Sequence, residues 1–168
     1  MQTGEINTVN SRQWNVENQS SSSQISKAIR PIFVGGLIAG TIDASFAFYD
    51  FGWGMPRGIA GGLLGPGARN GGAATWILGL FLHFLIACSA AAIYYAASRK
   101  LTFLRDNPVV CGMFFGIAIF LVMNLVVLPL SAYHTSAPLQ LASMRKGLLI
   151  HMLFIGLPIA LSVRRFSK

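Results

Sequence analysis

Charge is scarce in this chain of 168 residues. Charged residues make up 11% of it and apolar residues 54%, whereas about 25% of a typical soluble domain is charged. Only five residues are acidic. A chain with so few polar groups cannot cover itself with a water-facing surface, which excludes an ordinary soluble domain. The composition indicates an integral membrane protein.

The sequence also lacks the motifs of common enzyme chemistry. It has no HExxH, no CxxC pair, and no serine, histidine and aspartate set around an exposed nucleophile. The two cysteines, Cys88 and Cys111, fall in apolar segments at different predicted depths, so we expect them to be free packing residues. Asp43 and two histidines are too few ligands to predict a metal site. We therefore expect no enzymatic activity.

Long apolar runs occur four times. A membrane-crossing helix needs about 20 apolar residues. The four candidate spans cover residues 31–51, 73–97, 108–130 and 147–163. We predict an all-α membrane protein with these four transmembrane helices in a domain over residues 27–168. Residues 1–26 are too polar to offset the entropy of ordering, and we predict a disordered cytoplasmic tail there.

The net charge of +8 follows the predicted topology. One side of the spans carries eight cations: Lys27, Arg30, Arg99, Lys100, Arg105, Arg164, Arg165 and Lys168. The other side carries four: Arg57, Arg69, Arg145 and Lys146. The positive-inside rule then predicts that both termini and the middle loop are cytoplasmic. Anionic lipid headgroups, and not nucleic acid, are the expected partner of this charge.

The loop between the first two spans is rich in glycine. Residues 52–72 contain nine glycines and two prolines. Ile59 and Leu63, at helical i, i+4 spacing, predict a short helix at the membrane surface or dipping into it. We interpret the motif GPGARNGG as turn chemistry. The alternative is an anion-binding backbone nest beside Arg69.

Two apolar runs place a histidine at the same point. GLFLHFLI begins at Gly79 and GLLIHMLF at Gly147, so His83 and His151 align at an offset of 68 residues. GGLIAG in the first span and CGMFFG in the third align at an offset of 76. The pattern predicts two tandem hairpins in the same orientation, which is a parallel repeat about an axis along the membrane normal.

Small and polar residues share helix faces. Residues four and seven apart lie on one side of a helix, and glycines at such spacing mark close helix contacts in membranes. Six glycines are predicted to pack helices together: Gly36, Gly40, Gly79, Gly112, Gly116 and Gly147. Polar residues at comparable depth or on these stripes form the candidate intramembrane site: Asp43, His83, His151, Asn124 and Tyr94.

An ionisable group inside the membrane is costly, by at least about 2.5 kcal/mol for a carboxylate, and is a functional candidate by default. We expect Asp43 to pair with His83 or His151 and share one proton, since histidine titrates close to physiological pH. This chemistry suits proton exchange or the binding of a small polar or cationic species. The alternative is that these groups only hydrogen-bond neighbouring helices, at about 0.6 kcal/mol per bond.

Three functions remain open. The first is proton-linked or small-solute transport or permeation, or a membrane stress response. The second is a non-catalytic scaffold or assembly protein. The third and weakest is a haem protein with His83 and His151 as axial ligands, since no propionate clamp or second histidine pair is present. No cofactor is expected. The expected partners are the lipid bilayer and a second copy of the chain or another membrane protein.

Several short motifs resemble the YagU-like family of small bacterial inner-membrane proteins. They are GGLIAG, His83 followed by AIYYAASRKL, CGMFFG, LPLSAY and GLLIHMLF, within residues 35–165. The resemblance implies a multi-pass protein of the inner membrane and an association with acid resistance. The glycine-rich loop after the first span is shorter here than in that family.

Overall fold

The computed structural model describes residues 3–132 and 141–166, and all of its regular elements in these ranges are helices. The α-helices are α1 (Thr3–Phe51), α2 (Met55–Leu64), α3 (Ala73–Lys100), α4 (Phe103–Asp106), α5 (Pro108–Val122), α6 (Leu128–Leu130), α7 (Leu141–Ile150) and α8 (Leu157–Phe166). Two 3₁₀ turns, Gly52–Gly54 and Pro66–Asn70, flank α2.

Four helical segments of the described chain are long and apolar enough to cross a membrane. They are Lys27–Leu64, Ala73–Lys100, Pro108–Leu130 and Met144–Phe166. The first is interrupted by the turn at Gly52, so we define span 1 as residues 27–51 and the other three segments as spans 2, 3 and 4. Each contains one predicted span. For the described residues, the prediction of an all-helical fold with four helices long and apolar enough to cross a membrane is confirmed.

The helix α1 also takes in the predicted tail. It begins at Thr3, although an isolated polar helix is only marginally stable in water. Trp14, a large apolar side chain of this stretch, is exposed. The packing of the membrane-length helices does not decide whether the tail is ordered, so the division at residue 26 stays a prediction.

Spans 3 and 4 each contain a π-helical segment. These segments are Met123–Val127 and His151–Gly156, and each ends two residues before a proline, Pro129 or Pro158. Proline has no N–H, and its ring clashes with the carbonyl one turn earlier. A wider turn moves that carbonyl aside without ending the helix. Proline therefore accounts for both distortions.

Span 1 occupies a central position in the bundle. It packs along α3 on one side and along span 4 on the other, and span 4 packs against span 3. We call the end of the bundle that bears Arg99 and Arg164 the cationic end, and the end that bears residues 52–72 the loop end. At the loop end, Lys146 of span 4 forms an ion pair with Asp50 of span 1.

The buried core lies toward the cationic end. Its buried apolar residues are Ala39, Ala90, Ala91, Tyr94, Ile155, Ile159, Ala160 and Val163. Small side chains dominate because membrane helices gain stability from close approach and not from expelling water. Tyr94 is 1% exposed. Its hydroxyl donates to the Leu104 carbonyl at 2.9 Å, and its ring centroid lies 4.9 Å from that of Phe115. Tyr94 thus joins span 2 to span 3.

The predicted short helix in the glycine-rich loop is confirmed as α2. It packs against α3, with Pro56 fully buried. The Ala132 N–H donates to the Gly62 carbonyl at 2.8 Å, which links α2 to the end of span 3. The GPGARNGG motif forms the turn Pro66–Asn70, and Arg57 Nε donates to the Gly71 carbonyl at 2.8 Å. The loop is therefore folded back onto the spans.

Replacing Tyr94 by phenylalanine tests the link at the cationic end. The change leaves the partly buried Leu104 carbonyl without its donor, so we expect the free energy of unfolding in detergent to fall by about 1 kcal/mol. The matched control is Tyr95→Phe, because the Tyr95 hydroxyl has no hydrogen bond to the described residues. Equal unfolding free energies for both variants would contradict this role of Tyr94.

Candidate functional site

Spans 1 and 2 meet at two glycines. A Cβ placed on Gly36 would lie 2.7 Å from the Cα of Cys88, and one on Gly40 would lie 3.0 Å from Cδ1 of Phe84. Such separations are below normal carbon contacts. The two backbones touch at Gly36, and the side chains of Phe84 and Ala87 fill the space at Gly40. Both predicted packing glycines thus lie at the contact of spans 1 and 2. Cys88, a free cysteine, is a packing residue of this contact.

Spans 3 and 4 meet in the same way. A Cβ on Gly112 would lie 2.9 Å from the carbonyl oxygen of Gly156, and one on Gly116 would overlap the carbonyl of His151. Gly156 was not among the predicted packing glycines, because it lies off the face that carries Gly147 and His151. The direct glycine-to-glycine contact is visible only once the helices are placed side by side.

The two glycines that align in the histidine-containing runs have different neighbours. Gly79 faces the backbone of α2, where a Cβ would overlap the Pro56 carbonyl. Gly147 faces a side chain, with a Cβ position 2.8 Å from Cε2 of Phe120. Both glycines allow close packing as predicted, but only Gly79 brings the outer loop into the bundle.

His83 bridges spans 1 and 2. The side chain is buried, at 8% exposure, and its Nε2 lies 2.8 Å from the Gly40 carbonyl oxygen. Because a carbonyl oxygen only accepts, Nε2 carries the proton of this bond. The ring packs edge-on against Phe84 at 5.3 Å. The acceptor belongs to Gly40, the glycine at which Phe84 and Ala87 of span 2 pack against span 1.

His151 and Asn124 bond within their own helices. His151 Nδ1 donates to the Gly147 carbonyl at 2.8 Å, and Asn124 Nδ2 donates to the Phe120 carbonyl at 2.8 Å. Each acceptor lies one turn earlier, a common pattern for polar side chains inside helices. Both residues belong to the π-helical segments. Their bonds satisfy polar groups where no water is available.

Asp43 has a different environment. Its side chain is partly buried, and it forms no hydrogen bond or ion pair with any described residue. The expected pairing with His83 or His151 is not among the contacts of the described residues, and one nitrogen of each histidine is directed to a backbone carbonyl. Among the predicted polar residues, Asp43 is the one that the described contacts leave unexplained.

Helix register places Asp43 at nearly the same level as His83. Spans 1 and 2 are antiparallel, and the contacts of Gly36 and Gly40 fix their relative position. At about 1.5 Å per residue, Asp43 lies level with residues 80–82 of α3, between Gly79 and His83. The five predicted site residues thus divide into three places. Asp43 and His83 share the interface of spans 1 and 2, His151 and Asn124 belong to spans 3 and 4, and Tyr94 lies at the cationic end.

Each histidine uses one ring nitrogen for a backbone carbonyl, Nε2 of His83 for Gly40 and Nδ1 of His151 for Gly147. The two rings pack in different places, His83 against Phe84 and His151 against Phe120. Among the described residues, no group of three or more histidine, cysteine or acidic side chains is arranged to hold a metal ion. The arrangement of Asp43 and His83 is suited to a proton or a small cation.

Gly116 tests the contact between spans 3 and 4. Gly116→Ala places a methyl group on the His151 carbonyl, and we expect the free energy of unfolding to fall by about 1–3 kcal/mol, the usual range for overpacking. The control is Gly58→Ala in α2, where a Cβ meets no atom within 4 Å. Alanine there favours the helix by roughly 0.5–1 kcal/mol. Unfolding of both variants in detergent measures the difference, and a neutral Gly116→Ala would contradict the contact.

Comparisons with known proteins identify no relative of this chain. No family model, no curated protein and no solved structure matches the chain.

Proposed function

We propose that the protein is a small permeation or transport unit of a bacterial inner membrane, in which Asp43 and His83 bind a proton or small cation in transit. The observation that carries the proposal is the Asp43 carboxylate, which lies inside the membrane-length part of α1 without a partner among the described residues.

The argument depends on what the other polar residues do. A polar side chain with only a structural role forms a hydrogen bond, as His83 does across helices and as His151 and Asn124 do within their own. Asp43 forms none with the described residues, although a carboxylate at this depth costs at least about 2.5 kcal/mol. A bound proton or cation offsets that cost. A structural role is therefore a poor explanation of Asp43, and a binding role is a direct one.

His83 supplies the second half of the site. Its Nε2–H is committed to the Gly40 carbonyl, which orients the ring and leaves Nδ1 as the remaining acceptor. A proton held at Asp43 thus has an acceptor on the neighbouring helix at the same level. Exchange between two such groups is a common element of intramembrane proton pathways.

The predicted duplication is supported by equivalent contacts in the two hairpins. The same offsets of 76 and 68 residues that align the sequence also relate the contacts between spans 1 and 2 to the contacts between spans 3 and 4. The equivalent pairs are Gly36 with Cys88 and Gly112 with Gly156, then Gly40 with Phe84 and Gly116 with Met152. We infer two parallel hairpins of common origin, a common plan among transporters.

The site belongs to one hairpin only. The position equivalent to Asp43 is Ile119, and His151, equivalent to His83, is bonded within its own helix. In the proposed orientation, the cationic end faces the cytoplasm, since Arg99, Lys100, Arg164 and Arg165 are exposed there. The acid resistance implied by the family resemblance is consistent with a protein that moves protons or counter-ions.

Flux measurements with Asp43→Asn test the proposal. The purified protein is reconstituted in vesicles with a pH-sensitive dye inside, and a proton or potassium gradient is imposed. We expect the flux through the asparagine variant to be at least tenfold lower than through the native protein. An amide cannot replace a carboxylate as a binding group for a proton or a cation.

The control for this experiment is Asp106→Asn. Asp106 is exposed at the cationic end, so its loss removes the same charge without touching the site. Flux through Asp43→Asn equal to that of the native protein would overturn the role of Asp43. If the native protein gives no more flux than vesicles without protein, transport is excluded as the function and the scaffold function is favoured.

A further inference from the structure

We propose that α2 is a gate that closes the Asp43–His83 site from the loop end. The proposal rests on the function proposed for that site and adds how access to it is controlled.

The start of α2 lies directly over the site. Gly79 and His83 are one turn apart on the same face of α3, and both are buried. The Pro56 carbonyl lies against Gly79, and Met55 and Pro56 are themselves buried. A molecule moving along this face from the loop end meets α2 before it meets His83.

The chain provides a hinge on each side of this helix. Gly52 has φ of 62° and Gly65 has φ of 86°, and these are the positive-φ glycines of the described chain. Glycine adopts this region without the penalty that other residues incur. No atom lies within 4 Å of a Cβ placed at either position. The first turn is held to span 2 by Trp76, whose Nε1–H donates to the Trp53 carbonyl at 3.0 Å, so this turn is the pivot and the Gly65 side of α2 is the side that moves. Hinges of this kind allow a short helix to move as a rigid body.

The bundle opens where α2 lies. Span 3 directs one face toward span 2, along which Cys111 and Phe115 are partly buried whereas Ala118 and Val122 are exposed. Tyr94 closes the cationic end of this seam. Spans 2 and 3 therefore separate toward the loop end.

In the described chain, α2 provides the connection across the open part of the seam. Its contact with span 2 is the buried one at Gly79, whereas its contact with span 3 is a backbone hydrogen bond from Ala132 to Gly62. A single net hydrogen bond is worth about 1 kcal/mol. We therefore expect α2 to separate from the end of span 3 and to stay packed against span 2 when the gate opens.

A disulfide can lock this side. A Cβ on Gly62 would lie 3.7 Å from the Cβ of Ser131, close to the mean of about 3.8 Å in disulfides. The test protein carries Gly62→Cys and Ser131→Cys together with Cys88→Ala and Cys111→Ala, which remove the native thiols. Its full chain is reconstituted in vesicles, and the bond is formed by an oxidant and verified by mass spectrometry.

The first measurement is access to position 43. Asp43→Cys is added to the test protein, and a charged, membrane-impermeant thiol reagent is supplied at the loop end. We expect the rate of labelling of the thiol at position 43 to fall at least tenfold when the disulfide is formed. This rate should recover after reduction and removal of the reductant. The control lacks Ser131→Cys and is treated identically. Equal labelling rates with and without the disulfide would overturn the gate.

A variant with the opposite effect guards against a folding artefact. Gly79→Ala pushes against the Pro56 carbonyl, so we expect α2 to be displaced and the thiol introduced by Asp43→Cys to be labelled faster, not slower. Slower or unchanged labelling, with an unaltered size-exclusion profile, would also count against the gate.

A flux measurement distinguishes failure of the gate from failure of the proposed transport function. In the test protein that retains Asp43, we expect the disulfide to reduce flux at least tenfold and reduction to restore it. Flux that is present but insensitive to the disulfide overturns the gate and leaves transport intact. Absent flux with disulfide-dependent labelling removes transport and retains the controlled access.

Discussion

The interior of a bilayer supplies no hydrogen bonds, and this constraint governs where each polar side chain of the bundle is directed. Asn124 and His151 bond to carbonyls of their own helices, and His83 bonds to a carbonyl of the neighbouring one. The last bond crosses the interface at Gly40, where Phe84 and Ala87 of span 2 pack closely against span 1. Close packing at a glycine and satisfaction of a polar group thus occur at the same contact. Asp43 forms no such bond with the described residues, which is why it is the centre of the proposed function.

Much of the architecture could be predicted from the sequence, since length and hydropathy are local properties. The four spans and the packing of Gly36, Gly40, Gly112 and Gly116 followed from apolar runs and helical spacing. The partners of the histidines did not. A helical face specifies a direction but not a distance, and whether an imidazole reaches a carboxylate or a nearby carbonyl depends on how closely two helices cross.

The π-helical segments of spans 3 and 4 and the packing of α2 show the same limit of prediction from sequence. Pro129 and Pro158 are visible in the sequence, but proline inside a helix is compatible with a kink or a wider turn, and packing decides between them. The short helix in the glycine-rich loop was predictable from its apolar spacing. Its burial against Gly79 was not, because that contact joins residues distant from the loop itself.

The central place of span 1 has a consequence for biosynthesis. Its second face is completed by span 4, through the Ser162 hydroxyl on the Pro31 carbonyl and the ion pair of Asp50 with Lys146. Span 1 therefore completes its contacts only after span 4 has been synthesised. Spans 1 and 2 can already pack through Gly36 and Cys88, but the second face of span 1 has no helix of this bundle against it until the other hairpin arrives.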